Sequence, residues 1–330
     1  MHVVITGGGG MIGRKLAQQL LRKGELEDRN GKPAEITKLT LFDMTAPPES
    51  EVSDPRIEVI TGDIADPATV ERMIAPDADT VYHLASVVSA GAEADFDLGY
   101  KVNLDGMRLV LERCRANGNV PKVIFASSAA AYGGEIPETV TDEIVPTPET
   151  SYGTQKVIGE YLISDYSRKG FVDGRAMRLP TIVVRPGKPN AAASGFASGI
   201  VREPLNGIDF TCPVSPESQM AIMSPRTVVN CFVHVHDVPA AELGASRALL
   251  LTGFSVSMGE TVEALHRVAT NRKLGSIDFK VDPHIQAIVD GWPKAMRSDK
   301  AARLGFPSDS SIEDVIAAHI EDELDRKEDA

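Results

Sequence analysis

Short runs of β-branched and apolar residues recur along the first half of the chain, separated by longer stretches with apolar residues every three or four positions. Val3, Val4 and Ile5 form the first run, and further runs follow at Lys38–Asp43, 57–63, 80–85 and Lys122–Ser128. Strands buried on both faces of a parallel sheet read this way. Between the runs, Ile12, Leu16 and Leu20 are spaced as on one helical face. So are Leu104, Met107, Val110 or Leu111, and Cys114 within 101–116, and Val157, Ile158, Tyr161 and Leu162 within 152–166. Alternating strands and helices predict an α/β fold on a doubly wound parallel sheet. Polar residues 25–35, with Asn30-Gly31 and Pro33, predict a surface insertion before the second strand.

The pattern changes after Arg185-Pro186-Gly187. Residues 186–230 are rich in Pro, Ala, Gly and Ser with little periodicity, which suits a segment shaping a site over the strand ends. Residues 232–238 alternate like a strand and are expected to return to the sheet. Helical patches and loops follow from Ser257. The expected division is therefore 1–185, rejoined by 232–256, as the sheet domain. Residues 186–231 and 257–330 form a smaller, interleaved substrate lobe, with the charged 321–330 frayed.

Charge and composition narrow the partners. The 330 residues carry 34 basic and 47 acidic side chains, a net charge of −13. That argues against a nucleic-acid partner, and requires any anionic substrate to be held by local arginines or helix ends. No apolar run approaches the ~20 residues of a membrane span, so no membrane partner is expected. The first strand lacks the basic flank of a signal peptide. Cys114, Cys212 and Cys231 are too few and scattered for a disulfide framework or a zinc site, which points to the cytoplasm.

The first strand runs into Thr-Gly-Gly-Gly-Gly-Met-Ile-Gly at 6–13. Strand, glycine turn and helix together make a dinucleotide cradle. Gly7 permits the tight turn, Gly10 lets the backbone approach a pyrophosphate, and Gly13 allows close helix–strand packing. The first helical amides, at Met11 and Ile12, then point at the anion. Asp43 closes the second strand, where a carboxylate accepts from the adenosine ribose hydroxyls and repels a 2′-phosphate, so NAD is expected over NADP. Asp63, at the next strand end, is placed for the adenine or as a turn cap. Tyr152 and Lys156 stand four apart, on one face of a predicted helix. A neighbouring ammonium favours phenolate, so Tyr152 is suited to exchange a proton during hydride transfer, and Lys156 to bond the nicotinamide ribose. Ser128 at the end of the fifth strand, or Ser127 beside it, would orient the reacting oxygen. His234 and His236 read as structural residues on a strand, His83 as a strand-end residue with no acid–base partner, and Trp292 as packing.

These motifs, with Asp63-Ile64, His83-Leu84-Ala85-Ser86, Asn103 and Tyr132-Gly133, resemble the extended short-chain dehydrogenase/reductase group, the NAD-dependent epimerase/dehydratase family. The resemblance covers about residues 1–190 and resumes at 232–237. It implies a Rossmann domain with NAD as cofactor, Ser128, Tyr152 and Lys156 as the catalytic set, and Ile64, Leu84, Ala85, Ser86 and Asn103 beside the cofactor. Thr181 stands where sugar-nucleotide epimerases of the family carry an Asn that holds the sugar diphosphate. The segment 183–196 also differs from theirs and is similar to members that oxidise the 2-hydroxyl of a four-carbon sugar acid. Arg178 and Arg185 are then candidate clamps for the acid's carboxylate. The alternative is an NAD-dependent sugar-nucleotide epimerase or dehydratase. Family members pair the helices at 101–116 and 152–166 across a two-fold axis, and the broad apolar arcs here imply the same homodimer.

Overall fold

A computed structural model describes residues 1–187 and 194–325. Its main sheet has seven strands: β1 (His2–Thr6), β2 (Lys38–Asp43), β3 (Ile57–Thr61), β4 (Ala78–His83), β5 (Lys122–Ser128), β6 (Asp173–Leu179) and β7 (Ala248–Leu250). Their spatial order is 3-2-1-4-5-6-7, and every pairing is parallel. β1 is central, with Thr6 opposite Phe42 on one side and His83 on the other. The order reverses at β1, so the crevice for a ligand opens outside the carboxyl ends of β1 and β4.

Helices cover both faces because each carries one apolar stripe. α1 (Met11–Lys23) buries Leu16 and Leu20 in a core with Val3, Ile5, Ile124 and Met177. On the opposite face α2 (Pro67–Met73), α3 (Gly106–Asn117) and α4 (Ser151–Arg168) bury Val70, Met107, Val110, Leu111 and Ile163 against Val4, Val81 and Val123. The helix expected over 101–116 is not uniform, since Lys101–Asp105 is a wide π-helical turn ahead of α3. The polar insertion folds into an antiparallel hairpin, Glu25–Glu27 with Pro33–Glu35, anchored by buried Leu26 and Ile36.

The structure corrects the reading of 232–238. Those residues are not a strand but the end of helix α6 (Pro225–Asp237). Val228, Val229, Cys231, Phe232, Val235 and His236 are among its buried positions, a 3.6-residue period that the short run at 232–238 mimics as a period of two. Ser224 caps it by accepting from Thr227 N, with Pro225 at its first position. α6 packs beside α1, and the return to the sheet comes later, at β7.

A second core lies beyond the carboxyl edge. Thr181–Ile182, Gln219–Met223 and Phe254–Ser257 form a small sheet, covered by α5 (Gly195–Leu205), α7 (Met258–Val268) and α8 (Ile312–His319). Ile320–Leu324, overlapping the start of the 321–330 segment expected to fray, continues instead as a helical turn. Arg226 holds Glu321 and Asp322 there, and Lys15 holds Glu323. Residues 326–330, and 188–193 of the 183–196 segment, lie outside the described residues. Among the described residues no helix is long and apolar enough to cross a membrane.

Candidate active site

The glycine turn is as tight as its sequence suggests. Gly7 has φ +74°, and a Cβ there would stand 2.8 Å from Ala85 N, so the loop after β4 crosses directly over it. A Cβ on Gly13 would fall 2.2 Å from Gly7 O, which forces helix and turn together without one. Gly10 begins α1 with no side-chain cap, and the first turn holds no acidic residue. The amides around Met11 and Ile12 thus open onto the crevice at the positive end of the helix, a cradle that fits a pyrophosphate.

Asp43 ends β2 beside this turn. Its Oδ2 accepts from Gly9 N at 3.0 Å and its Oδ1 from Met44 N at 2.7 Å. These bonds fix the carboxylate at the rim of the cradle, where an adenosine ribose would meet it. Asp63 lies just past β3, accepting from Ala65 N at 2.9 Å and pairing with Lys101 Nζ at 2.8 Å. The Lys101 bond, with that from Ala65, holds its carboxyl below the usual range. Ile64 is buried under Gly106. Turn, uncapped helix and Asp43 together fit NAD.

α4 carries the next group. Thr150 caps it by accepting from Gly153 N at 3.0 Å, and a Cβ on Gly153 would lie 2.0 Å from Ala130 O. The helix therefore presses on the loop leaving β5, bringing Tyr152 to Ser128. Ser128 Oγ accepts from Ala130 N at 3.1 Å, which leaves its own hydrogen to point outward. Tyr152 is half-buried, and burial pushes its phenol above the ordinary value. Hydrogen bonding by Ser128, the charge of Arg185, and hydrogen bonding by Ser86 all pull the other way. Lys156 is buried, donates to Ala126 O at 2.8 Å, and lies 5.3 Å from the centre of the Tyr152 ring. Burial brings its ammonium down to about 7, opposed by the charge of Glu160.

Ser127 and Arg178 do not join this group, contrary to expectation. Neighbouring strand residues face opposite ways, so Ser127 turns inward and donates to Glu160 on α4. Arg178 grips the same carboxylate through Nε and Nη2, the latter at 2.6 Å, and donates from Nη1 to Tyr132 Oη at 2.7 Å. A guanidinium so committed, with 12% of its side chain exposed, is poorly placed to clamp a substrate carboxylate. Arg185 is not committed in this way, and its charge acts to lower the Tyr152 phenol. It is anchored through Nε to Ile182 O at 3.0 Å and through Nη2 to Ser194 Oγ at 2.7 Å, and among the described residues no carboxylate pairs with it.

Leu84, Ala85 and Ser86 lie half-buried in the loop over the glycine turn, and Thr181 starts the small sheet opposite Ile222. Asn103 is a buried brace for that loop. His83 bonds Thr6 Oγ1 at 2.9 Å and stacks on Phe125, and burial holds it neutral, down to about 3. His234 and His236 sit on α6, bonded to Leu304 O and to Thr80 and Asp237. Trp292 stacks on Phe196. Among the described residues no cluster of three potential metal ligands occurs. Glu160 and Gln155 went unremarked in the sequence. Glu160 lies four residues past Lys156, hence on its face, and both are polar residues at buried helix positions, which is the signal that could have found them.

Comparison with known proteins agrees with this geometry. The chain is 49% identical over 322 residues to the D-erythronate dehydrogenase of Cupriavidus necator, covering 98% of both chains. It is 43% identical to the D-erythronate dehydrogenase of Haemophilus influenzae, covering 97% of this chain and 99% of that one. A crystal structure described as the nucleoside-diphosphate-sugar epimerase from Agrobacterium tumefaciens superposes with a TM-score of 0.91 at 42% identity, covering 98% of this chain and 94% of that one. Residues 3–247 match the family model described as NAD dependent epimerase/dehydratase. With the nucleotide cradle and the relatives in agreement, this chain belongs to the NAD-dependent epimerase/dehydratase family, with NAD as its cofactor.

Proposed function

We propose that the protein is an NAD-dependent dehydrogenase that oxidises the 2-hydroxyl of D-erythronate to the 2-oxo acid. The observation that carries this is Arg185, whose guanidinium is held by Ile182 O and Ser194 Oγ, pairs with no carboxylate among the described residues, and pulls the Tyr152 phenol down by its charge. In a 2-hydroxy acid the carboxylate sits one carbon from the reacting centre. A guanidinium acting on the proton acceptor is therefore where that carboxylate would bind. The names of the Cupriavidus necator and Haemophilus influenzae relatives support the same substrate.

Bound NAD supplies the hydride acceptor. Tyr152 takes the hydroxyl proton, and Ser128 donates its outward hydrogen to the developing alkoxide. Arg185 fixes the carboxylate, and Lys156 supplies positive charge beneath the Tyr152 ring and a ribose contact. Asp43 holds the adenosine ribose, and Thr181 borders the substrate. The test is absorbance at 340 nm on adding D-erythronate and NAD to the purified protein, with the 2-oxo product trapped by a hydrazine. The Agrobacterium structure favours a second reading, a sugar-nucleotide epimerase that regenerates its NAD. Turnover of UDP-glucose without net NADH, and none of D-erythronate, would establish that reading instead.

A homodimer and a cytoplasmic location belong to the same proposal. Tyr161 is 68% exposed on α4, with Ile158 and Leu162 half-buried beside it and Leu104 half-buried ahead of α3. The three cysteines are buried and unpaired. Sedimentation at the mass of a single 35.4 kDa chain would refute the dimer.

A further inference from the structure

Four residues past Lys156 on α4, the buried carboxylate of Glu160 gathers two strands of the sheet. Ser127 on β5 donates to its Oε1. Arg178 on β6 donates from Nε to Oε1 at 3.0 Å and from Nη2 to Oε2 at 2.6 Å. The same guanidinium donates from Nη1 to Tyr132 Oη at 2.7 Å and lies over the Tyr132 ring, 5.3 Å from its centre. Ser127 and Tyr132 flank Ser128 along the chain. Between them Ser128 opens a single 3-10 turn, Ala129–Ala131, by accepting from Ala130 N, and Tyr132 N closes that turn on Ala129 O at 3.0 Å. Gly153, beside Tyr152, presses on the middle of the turn at Ala130 O.

We propose that the buried Glu160–Arg178 pair is a positioning bracket, gripping the chain just before and just after Ser128 and so setting the Ser128 hydroxyl against the helix that carries Tyr152 and Lys156. The proposal rests on the reading of Ser128 as donor to the substrate oxygen. The bracket itself is turned away from substrate, since Ser127, Tyr132 and Glu160 are at most 4% exposed. Apolar packing is non-directional and would let strand, turn and helix slide. A guanidinium fork on a carboxylate fixes both distance and angle, and here its two further partners are Ser127 and Tyr132. Lys156, donating to Ala126 O at 2.8 Å, ties the same helix to the residue before Ser127. A reacting group displaced by about 1 Å loses on the order of a hundredfold in rate, so a hydroxyl serving the alkoxide gains from being held on both sides.

Two variants each open one arm of the bracket and leave the ion pair whole. Ser127→Ala frees the strand side, and Tyr132→Phe frees the turn side while keeping a ring under Arg178. In the full chain with saturating NAD, each should lower kcat for D-erythronate about ten- to a hundredfold, with KM and NAD affinity within about twofold of native. In a Ser128→Ala background the same changes should cost less than about twofold more, because the group they position is gone. Amide hydrogen exchange across 129–132, read by mass spectrometry without substrate or cofactor, should speed up about tenfold or more in both single variants. Native kcat and native exchange in both variants overturn the proposal. So do losses of equal size in the Ser128→Ala background, which place the effect elsewhere, and losses confined to urea stability and NAD affinity, which mark a pair that only holds the fold. If Ser128→Ala alone is as fast as the native protein, or the native protein does not oxidise D-erythronate, the reading of the reaction fails. Exchange then decides the bracket separately: faster exchange in the two variants supports it, and unchanged exchange overturns it.

Discussion

Replacing Arg185 by Met removes a charge that lowers the Tyr152 phenol, with little disturbance of the backbone that carries it. The main chain there is held independently, since Arg185 N donates to Ser198 Oγ at 3.0 Å and Arg185 O accepts from Arg202 Nη1 at 2.8 Å. The groups the guanidinium leaves behind, Ile182 O and Ser194 Oγ, are two neutral acceptors in a half-buried site. A hydrogen bond to a charged group is worth about 1.5–3 kcal/mol, and each ~1.4 kcal/mol is tenfold. In Arg185→Met, kcat/KM for D-erythronate should therefore fall roughly ten- to hundredfold. The carboxylate-free analogue erythritol should be a poor substrate of both proteins and should lose far less. The pH profile supplies a second readout. Oxidation needs Tyr152 deprotonated, so the rate rises with pH through its titration. The charge of Arg185 pulls that titration down against burial, and its loss should move the rising limb to higher pH. Initial rates of NADH formation across pH measure both effects. Equal losses for D-erythronate and erythritol, or an unchanged kcat/KM for D-erythronate, would refute the carboxylate clamp.

Tyr152→Phe keeps the ring against Lys156 but deletes the proton acceptor. kcat should drop by about 10²–10⁴-fold with NAD affinity unchanged by fluorescence titration, and a near-native rate would exclude the mechanism. Asp43 should make NAD at least about tenfold more efficient than NADP, a difference of only ~1.4 kcal/mol, and Asp43→Ala should narrow the ratio of kcat/KM values. Arg178→Met strips the partner from Glu160, which is buried with Ser127. Breaking such a pair costs about 3–5 kcal/mol, so urea denaturation should show a large loss of stability, and a variant as stable as the native protein would contradict the network.

The features legible in the sequence are those written in local spacing. The glycine turn could be read because part of its need for glycine is local, as Gly10 and Gly13 answer contacts with Gly7 O a few residues away. Tyr152 and Lys156 could be paired because a helix puts residues four apart on one face. Five of the sheet strands were visible as β-branched runs because burial on both faces removes polar residues. Where a short stretch fits two periods, spacing misleads. Residues 232–238 alternate like a strand, yet the thirteen residues of α6 bury one helical stripe against α1.

Tertiary structure alone decided which of two equivalent neighbours faces the chemistry. Ser127 and Ser128 are chemically alike, and only the register of β5 against α4 turns the first to Glu160 and the second to Tyr152. Arg178 and Arg185 differ likewise. β6 delivers Arg178 to a carboxylate from α4, while the backbone beyond Ile182 leaves Arg185 on Ile182 O and Ser194 Oγ with no carboxylate partner among the described residues. The bracket around Ser128 joins two strands, a turn and a helix, with Tyr132 and Arg178 46 residues apart. Periodicity reports which face of one element is buried. It carries no information about which other element that face meets, and a site assembled across elements depends on that meeting.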